Sequence, residues 1–342
     1  MGGHIRDFGA AQCVGLENGR MSCEIITYGG VLRSLTVPDR TGRGTDVVLG
    51  FDRLEDYKNQ SAYLGALVGR VANRIAGARF ELGGRCFELC RNDGENSLHG
   101  GGRGFNARLW RIEERSDTRL VLALTSPDGE EGYPGRLEVR VCYELGPDEL
   151  GISYEAVSDA DTLCNLTNHA YFNLNGHDSG SVEGQYVSIN ASRYTPTDAG
   201  LIPTGELADV TGTPMDMREP VRIGDRVNLD FEALRLGGGF DHNYAIDGAD
   251  GSLRHAASAY SPETGITLEA LTTMPGVQLY TGNFMEGLPA GKGGAAYGNR
   301  QGFCLETQHF PDAVHHPNFP SAVLRAGDRY RNCTVYRFGT RA

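Results

Sequence analysis

The 342-residue chain has no apolar run long enough to cross a bilayer, so no transmembrane helix is expected. It also has no run of basic residues. With a net charge of -12, a nucleic-acid or anionic-membrane surface is not expected, because phosphate binding needs basic patches. The first residues, "MGGHIRDFGA", lack the apolar stretch of a secretory signal. Arg6 stands where a myristoylation signal needs Ser or Thr. Long amphipathic stripes at helical spacing are missing too; "RLEDYKN" and "FEALR" offer a turn or two of helix each.

Common catalytic signatures are equally scarce. There is no HExxH-like pair, and His315 and His316 are neighbours that would point apart, so no metal site is expected. No G-x-S-x-G elbow marks a serine hydrolase, and no dinucleotide fingerprint is present. Cysteine is not scarce, but its eight copies form no framework. Only Cys86 and Cys90 are close, and "CFELC" matches neither a redox CxxC nor a zinc knuckle. The cysteines read as reduced, small core residues of a cytoplasmic protein.

What the chain does have is glycine, 48 residues, roughly double the ~7% average usage. The glycines punctuate short segments that alternate apolar and polar residues. In "RLEVRVCYELGPDELGISYEA", Leu137, Val139, Val141, Tyr143 and Leu145 keep a period of two; Leu150, Ile152, Tyr154 and Ala156 resume it after a turn. That predicts an antiparallel hairpin with one face on a core. "ARFELGGRCFELC" predicts a second hairpin through Gly-Gly. "WRIEE", "RLVLALT", "EGQYVSIN" and "SLRHAASAY" followed by "GITLEALTT" extend the pattern. No linker or composition shift divides the chain. The expectation is one all-β domain over residues 1–342, a large antiparallel β-sandwich with few short helices.

Several segments carry polar residues that such a sandwich could gather. In "LCNLTNHAYFNLNG", a strand would send Leu166, Ala170, Phe172 and Leu174 one way. Asn165, Thr167, His169, Tyr171 and Asn173 would go the other, either as the floor of a site for a hydroxyl-rich ligand or as a solvated outer face. "NSLHGGGRGFN" sets His99 before three glycines, as a ligand loop or a plain turn. "GRVANRIAGARF" places Arg70, Asn73 and Arg74 among small residues, with room to reach inward or out to solvent. "GGGFDHNYAI" puts Asp241 and Asn243 on one strand face, and "PGVQLYTGNF" carries Gln278 between apolar neighbours. In "FCLETQHFPDAVHHPNFP", Glu306 follows an apolar strand and precedes a proline-rich loop. It is a solvated strand end or a carboxylate at a pocket mouth.

Taken together, "GRVANRI", "NSLHGG", "SPDGEEGYPG", "TNHAYFNL", "YTPTDAGLIPTGE", "FDHNY", "QLYTGNF" and "LETQHFPDA…NFPS" resemble the aldose 1-epimerase (galactose mutarotase) family. The segments stand in the family's order over roughly residues 20–338. The resemblance implies a β-supersandwich and a cofactor-free isomerase that interconverts the α and β anomers of free aldohexoses such as galactose and glucose. It assigns the proton donor to His169 and the general base to Glu306. Sugar-binding roles fall on Asn73, Arg74, His99, Tyr171, Asp241 and Gln278. Two departures stand out: Val314-His315-His316 follow "PDA", where the family writes Asn soon after, and Asn106-Ala107 replace a common Asp-Lys.

The implied chemistry suits these residue types. Opening a hemiacetal needs a base for the C1 hydroxyl proton and an acid for the ring oxygen, and moves no electrons to a cofactor. The expected partner is a small monosaccharide, and the expected oligomeric state a monomer or weak homodimer. A hexose-6-phosphate 1-epimerase would need further basic residues at the pocket. A non-catalytic sugar-binding or regulatory module would need no acid–base pair.

Overall fold

A computed structural model describes residues 4–341; the Met-Gly start discussed above lies outside the described residues. The larger sheets among those residues are one of nine strands and two of five, and all strand pairs within them are antiparallel. The predicted hairpin forms as Leu137–Leu145 paired with Glu149–Ser158. Its alternating residues Val139, Val141, Tyr143, Ile152 and Tyr154 are buried. Each such aliphatic side chain contributes roughly 1.5–3 kcal/mol on burial. The second hairpin joins Arg79–Leu82 to Arg85–Glu88. Gly83 and Gly84 both take positive φ, +57° and +75°, as a two-residue turn matched to strand twist requires.

The nine-stranded sheet runs from Arg111–Arg115 at one edge to Val221–Arg222 at the other, with Glu149–Ser158 and Arg329–Thr340 near its middle. Its inner face shares one apolar cluster with both five-stranded sheets. Val14, Ile25 and Leu35 enter that cluster from the N-terminal sheet, and Val277, Leu279 and Leu305 from the C-terminal one. Helices are short: Leu54–Lys58, Ile223–Arg226 and Glu232–Leu236, two of them where the sequence offered a turn.

The second five-stranded sheet positions the site. Its last three strands are Asp241–Ala245, Gly276–Tyr280 and Cys304–Gln308. Register sets Asn243 opposite Gln278, and Gln278 opposite Glu306. Because side chains alternate along each strand, one face collects Asp241, Gln278, Tyr280, Cys304 and Glu306. The other face carries Val277, Leu279 and Leu305 into the core.

Two expectations need correction. Residues 163–176 are not one long strand; regular pairing is confined to Thr162–Leu163 and Thr167–Asn168, with single bridges at Asn165 and Phe172. Both sides of this segment are buried, so the solvated outer face does not exist. The packing of other segments over it, not its own periodicity, set its conformation. The cysteines are also not uniformly core residues. Cys13, Cys23, Cys164 and Cys304 are buried, whereas Cys86 is exposed, Cys142 and Cys333 are half-buried on strands of the nine-stranded sheet, and Cys90 is half-buried just past the second hairpin.

Candidate active site

The strand face of the second five-stranded sheet opens on a cavity of about 170 Å³. That is well below the 300–1,000 Å³ of drug-sized pockets and suits a small ligand. Asn73, Arg74, His99, His169, Tyr171, Asp241 and Glu306 all line it, drawn from segments far apart in the chain. Gln278 does not line it. It stands behind Asp241, donating from Nε2 to Asp241 Oδ1 at 2.7 Å.

His169 and Glu306 form the centre. His169 Nε2 lies 3.6 Å from Glu306 Oε1, and the two residues are only 5% and 2% exposed. Glu306 Oε2 is buried without a hydrogen-bond partner in the protein, an arrangement native proteins seldom keep without use. Burial pushes the Glu306 carboxyl well above its ordinary range, the Asp241 charge adds to this, and Arg74 opposes it. Burial also pulls His169 down to about 4. Asp241 is raised by burial, against the pull of Arg74 and the Gln278 hydrogen bond.

The opposite wall comes from two crossing loops. The strand pair Arg74–Ile75 and Ser97–Leu98 brings "ANRI" beside "SLHGG". Asn73 N–H donates to His99 Nδ1 at 3.1 Å, and His99 N–H donates to the Asn73 carbonyl at 3.0 Å. Both residues sit at positive φ, 65° and 53°. The neutral His99 ring therefore carries its proton on Nε2, as a fixed donor. Arg74 is aimed by a 2.7 Å ion pair from its Nε to Asp93. The glycines after His99 permit this crossing: a Cβ on Gly100, at φ +88°, would lie 1.9 Å from the Gly69 carbonyl oxygen. They serve close backbone approach, not phosphate binding.

Tyr171 stacks on His169 with ring centroids 5.0 Å apart, while its hydroxyl donates to the Ala62 carbonyl at 2.8 Å. Its offering to a ligand is the ring face. Sequence reading missed Tyr63, Tyr280 and Phe284, which also line the cavity. Tyr280 shares a strand face with Gln278 two residues earlier, so its period of two was a usable signal. Tyr63 packs edge-on against His99 at 4.6 Å, and no local pattern announced it. Phe284 is 62% exposed at the rim.

The remaining polar residues of these motifs are structural. Asn165 and Asn173 are buried against backbone carbonyls rather than facing the cavity. Arg70 turns away and donates to Ser126 and to carbonyls of Ser126, Pro127 and Pro134. The "VHH" departure has a packing role. His315 Nδ1 meets Asp312 Oδ1 at 2.7 Å, and His316 reaches the Pro203 carbonyl at 3.1 Å while lying against Phe319. Asp312 in turn takes the Ala76 N–H at 2.9 Å and donates its own N–H to the Arg74 carbonyl at 3.0 Å. The proline-rich loop thus braces the wall that carries Arg74.

His99, His169 and Glu306 bring ligand-type atoms within 4.8 Å of one another, a cluster that no sequence spacing announced. It is a poor metal cradle. His99 Nδ1 already accepts the Asn73 N–H, and Nε2 carries the proton, so neither nitrogen offers a free lone pair. A larger cleft of about 260 Å³ between Tyr186, Tyr260 and Arg341 has neither a carboxylate nor a histidine in its lining.

On an antiparallel supersandwich, the cavity sets a buried carboxylate–imidazole pair among hydrogen-bonding groups, an arrangement capable of acid–base chemistry on a small polar molecule. The aldose 1-epimerase family model matches residues 12–337. A galactose mutarotase from Bos taurus is 46% identical over 323 residues, covering 94% of this chain and 92% of that protein. An aldose 1-epimerase from Escherichia coli K12 is 36% identical over 325 residues, covering 94% and 93%. Among solved structures, a GalM/aldose epimerase homologue from C. elegans superimposes with a TM-score of 0.89 at 28% identity, covering 97% of this chain and all of that one. A galactose 1-epimerase from Lactobacillus acidophilus gives 0.86 at 28% identity, over 100% and 99% of the chains. The chain belongs to the aldose 1-epimerase family and is an isomerase.

Proposed function

We propose that the cavity interconverts the α and β anomers of a free aldohexose such as galactose or glucose, with Glu306 as base and His169 as acid. The observation that carries this is the 3.6 Å approach of His169 Nε2 to Glu306 Oε1 inside a buried, hydroxyl-matching pocket. Glu306 takes the C1 hydroxyl proton as the C1–O5 bond breaks. The bond's electron pair goes to O5, which receives the proton from His169 Nε2. Rotation about C1–C2 turns the other aldehyde face to O5, and the two transfers then run backwards.

The pair holds one proton throughout. Carboxylate with imidazolium becomes carboxylic acid with neutral imidazole at the open-chain stage, and then reverts. Burial of the empty pocket favours the uncharged form, with the proton on Glu306 and His169 neutral. Sugar hydroxyls replace lost solvation as they enter. Each buried polar group left unpaired costs about 1–3 kcal/mol, and Asn73, Arg74, His99 and Asp241 supply partners, with Gln278 holding Asp241. The Tyr171 ring offers an apolar surface to sugar C–H groups.

A phosphosugar fits poorly. The charged residues lining the cavity are Arg74, Asp241 and Glu306, and Arg74 is already paired with Asp93. A binding module would gain nothing from burying an acid–base pair. Eight free thiols, four of them buried, support a reducing, cytoplasmic setting, and the apolar cluster shared by the three large sheets supports one domain spanning the chain. Polarimetry on fresh α-D-galactose and α-D-glucose tests the reading. Glu306→Gln and His169→Asn should each lose roughly 10²–10⁴-fold in rate with the fold intact by circular dichroism. A near-normal rate in either variant would overturn the assignment.

A further inference from the structure

The proton transfers above use only Nε2 of His169, yet Nδ1 also has a built partner. Cys304 Sγ lies 3.5 Å from Nδ1, and both residues are buried. Cys304 stands two residues before Glu306 on the same strand face, so one strand touches the histidine at one nitrogen and pairs with it at the other. We infer that Cys304 is a positioning residue: its sulfur holds the Nδ1 proton of His169, so that Nε2 alone exchanges a proton with the sugar. This rests on the reading of His169 as the acid.

The direction of the contact follows from the cycle. When His169 is an imidazolium, both ring nitrogens carry protons, so Nδ1 is a donor and needs an acceptor. A second acceptor within reach is the residue's own carbonyl oxygen, which takes the Gly65 N–H at 2.9 Å on one lone pair and shares the Nδ1 proton on the other, leaving the sulfur as the side-chain partner. Burial keeps the Cys304 thiol protonated and uncharged, its pKa raised well above the ordinary value. A neutral sulfur is a weak acceptor. It fixes the ring without the charge that a carboxylate would bring, and a carboxylate there would stabilise the imidazolium and make it a poorer acid. Tyr171 and Tyr63 lie near-parallel to the imidazole at 5.0 and 6.1 Å and fix its plane. Stacking cannot tell one edge of the ring from the other. The sulfur contact can.

Nitrogen-15 NMR of the histidine rings tests this without substrate, with the His169 signals identified by their loss in His169→Asn. The wild-type protein at neutral pH should carry the His169 proton on Nδ1, with Nε2 unprotonated. Cys304→Ala should mix the two tautomers and lower kcat about fivefold at unchanged KM, the rate equivalent of one modest hydrogen bond. Cys304→Ser, whose hydroxyl can accept the same proton, should restore the Nδ1–H signal and most of kcat. A wild-type proton on Nε2 overturns the proposal, as does a Cys304→Ala protein with the wild-type tautomer and kcat. Should that variant not fold, the wild-type and Cys304→Ser spectra decide. Full activity in His169→Asn would instead defeat the acid assignment and leave the tautomer result standing.

Discussion

Gln278 donates from Nε2 to Asp241 Oδ1 at 2.7 Å and sits directly opposite Glu306 in the sheet register. A neutral amide thus holds one carboxylate near another without cancelling its charge. The consequence is electrostatic: burial raises Glu306, and the Asp241 charge raises it further.

The pH profile should show this. The working pair carries one proton; it gains a second only as His169 protonates, at about 4. It loses its proton as pH passes the raised Glu306 value. Thus kcat/KM should rise through an acid limb near 4, not near an ordinary histidine value, to a plateau that ends where the raised Glu306 carboxyl loses its proton. Asp241→Asn should move the alkaline limb to lower pH. An acid limb at 6–7 in the wild type would contradict the proton count.

Stability should respond in the opposite sense to activity. The folded-state pKa of Glu306 lies above its unfolded value, so the native protein binds more protons in that window. Stability from this group is therefore full below the unfolded value, near 4.5, and declines as pH rises towards the folded one. Glu306→Gln removes the liability. Its melting temperature at pH 8 should exceed that of the wild type, while its activity is lost. A lower melting temperature at pH 8 would refute the burial cost.

Arg74 is aimed by Asp93 at 2.7 Å. Arg74→Ala should weaken sugar binding by roughly 10–100-fold, as expected for a charge-assisted hydrogen bond. Asp93→Asn, which keeps the guanidinium but frees it, should weaken binding by less. Isothermal titration with a non-reacting sugar, such as a 1-deoxy analogue, would measure both. Equal losses would show that Asp93 is not merely an aiming group.

Gly100 is where the loop crossing is tightest. A Cβ there meets the Gly69 carbonyl oxygen at 1.9 Å, and the φ of +88° is already unfavourable for other residues. Gly100→Ala should cost at least ~2 kcal/mol in urea denaturation and displace His99, raising KM as well. A variant with wild-type stability would mean that the two loops separate easily.

Much of the sheet architecture was legible because it follows a local rule. Leu137 to Leu145 alternate, a glycine turn follows, and Leu150 to Ala156 alternate again; a half-buried antiparallel hairpin needs nothing else. The same rule failed at residues 163–176. There both sides are buried, so apolar and polar residues alternate without an inside and an outside to distinguish them. His169 and Tyr171 reach the cavity, but Asn165 and Asn173, in the same phase, satisfy backbone carbonyls instead. Tyr63 had no local signature, since its place depends on His99 arriving from another loop.

The sequence by itself determined the strand pattern, the turn glycines, the family and the residue types available for acid–base chemistry. Tertiary structure alone decided which of those residues meet. His99, His169 and Glu306 converge only when three distant segments pack together, and the same packing removes the water that would hold their pKa values at ordinary levels. Burial and long-range proximity are properties of the folded whole, so the proton chemistry of Glu306, unlike the strand that carries it, could not be read from its neighbours in the chain.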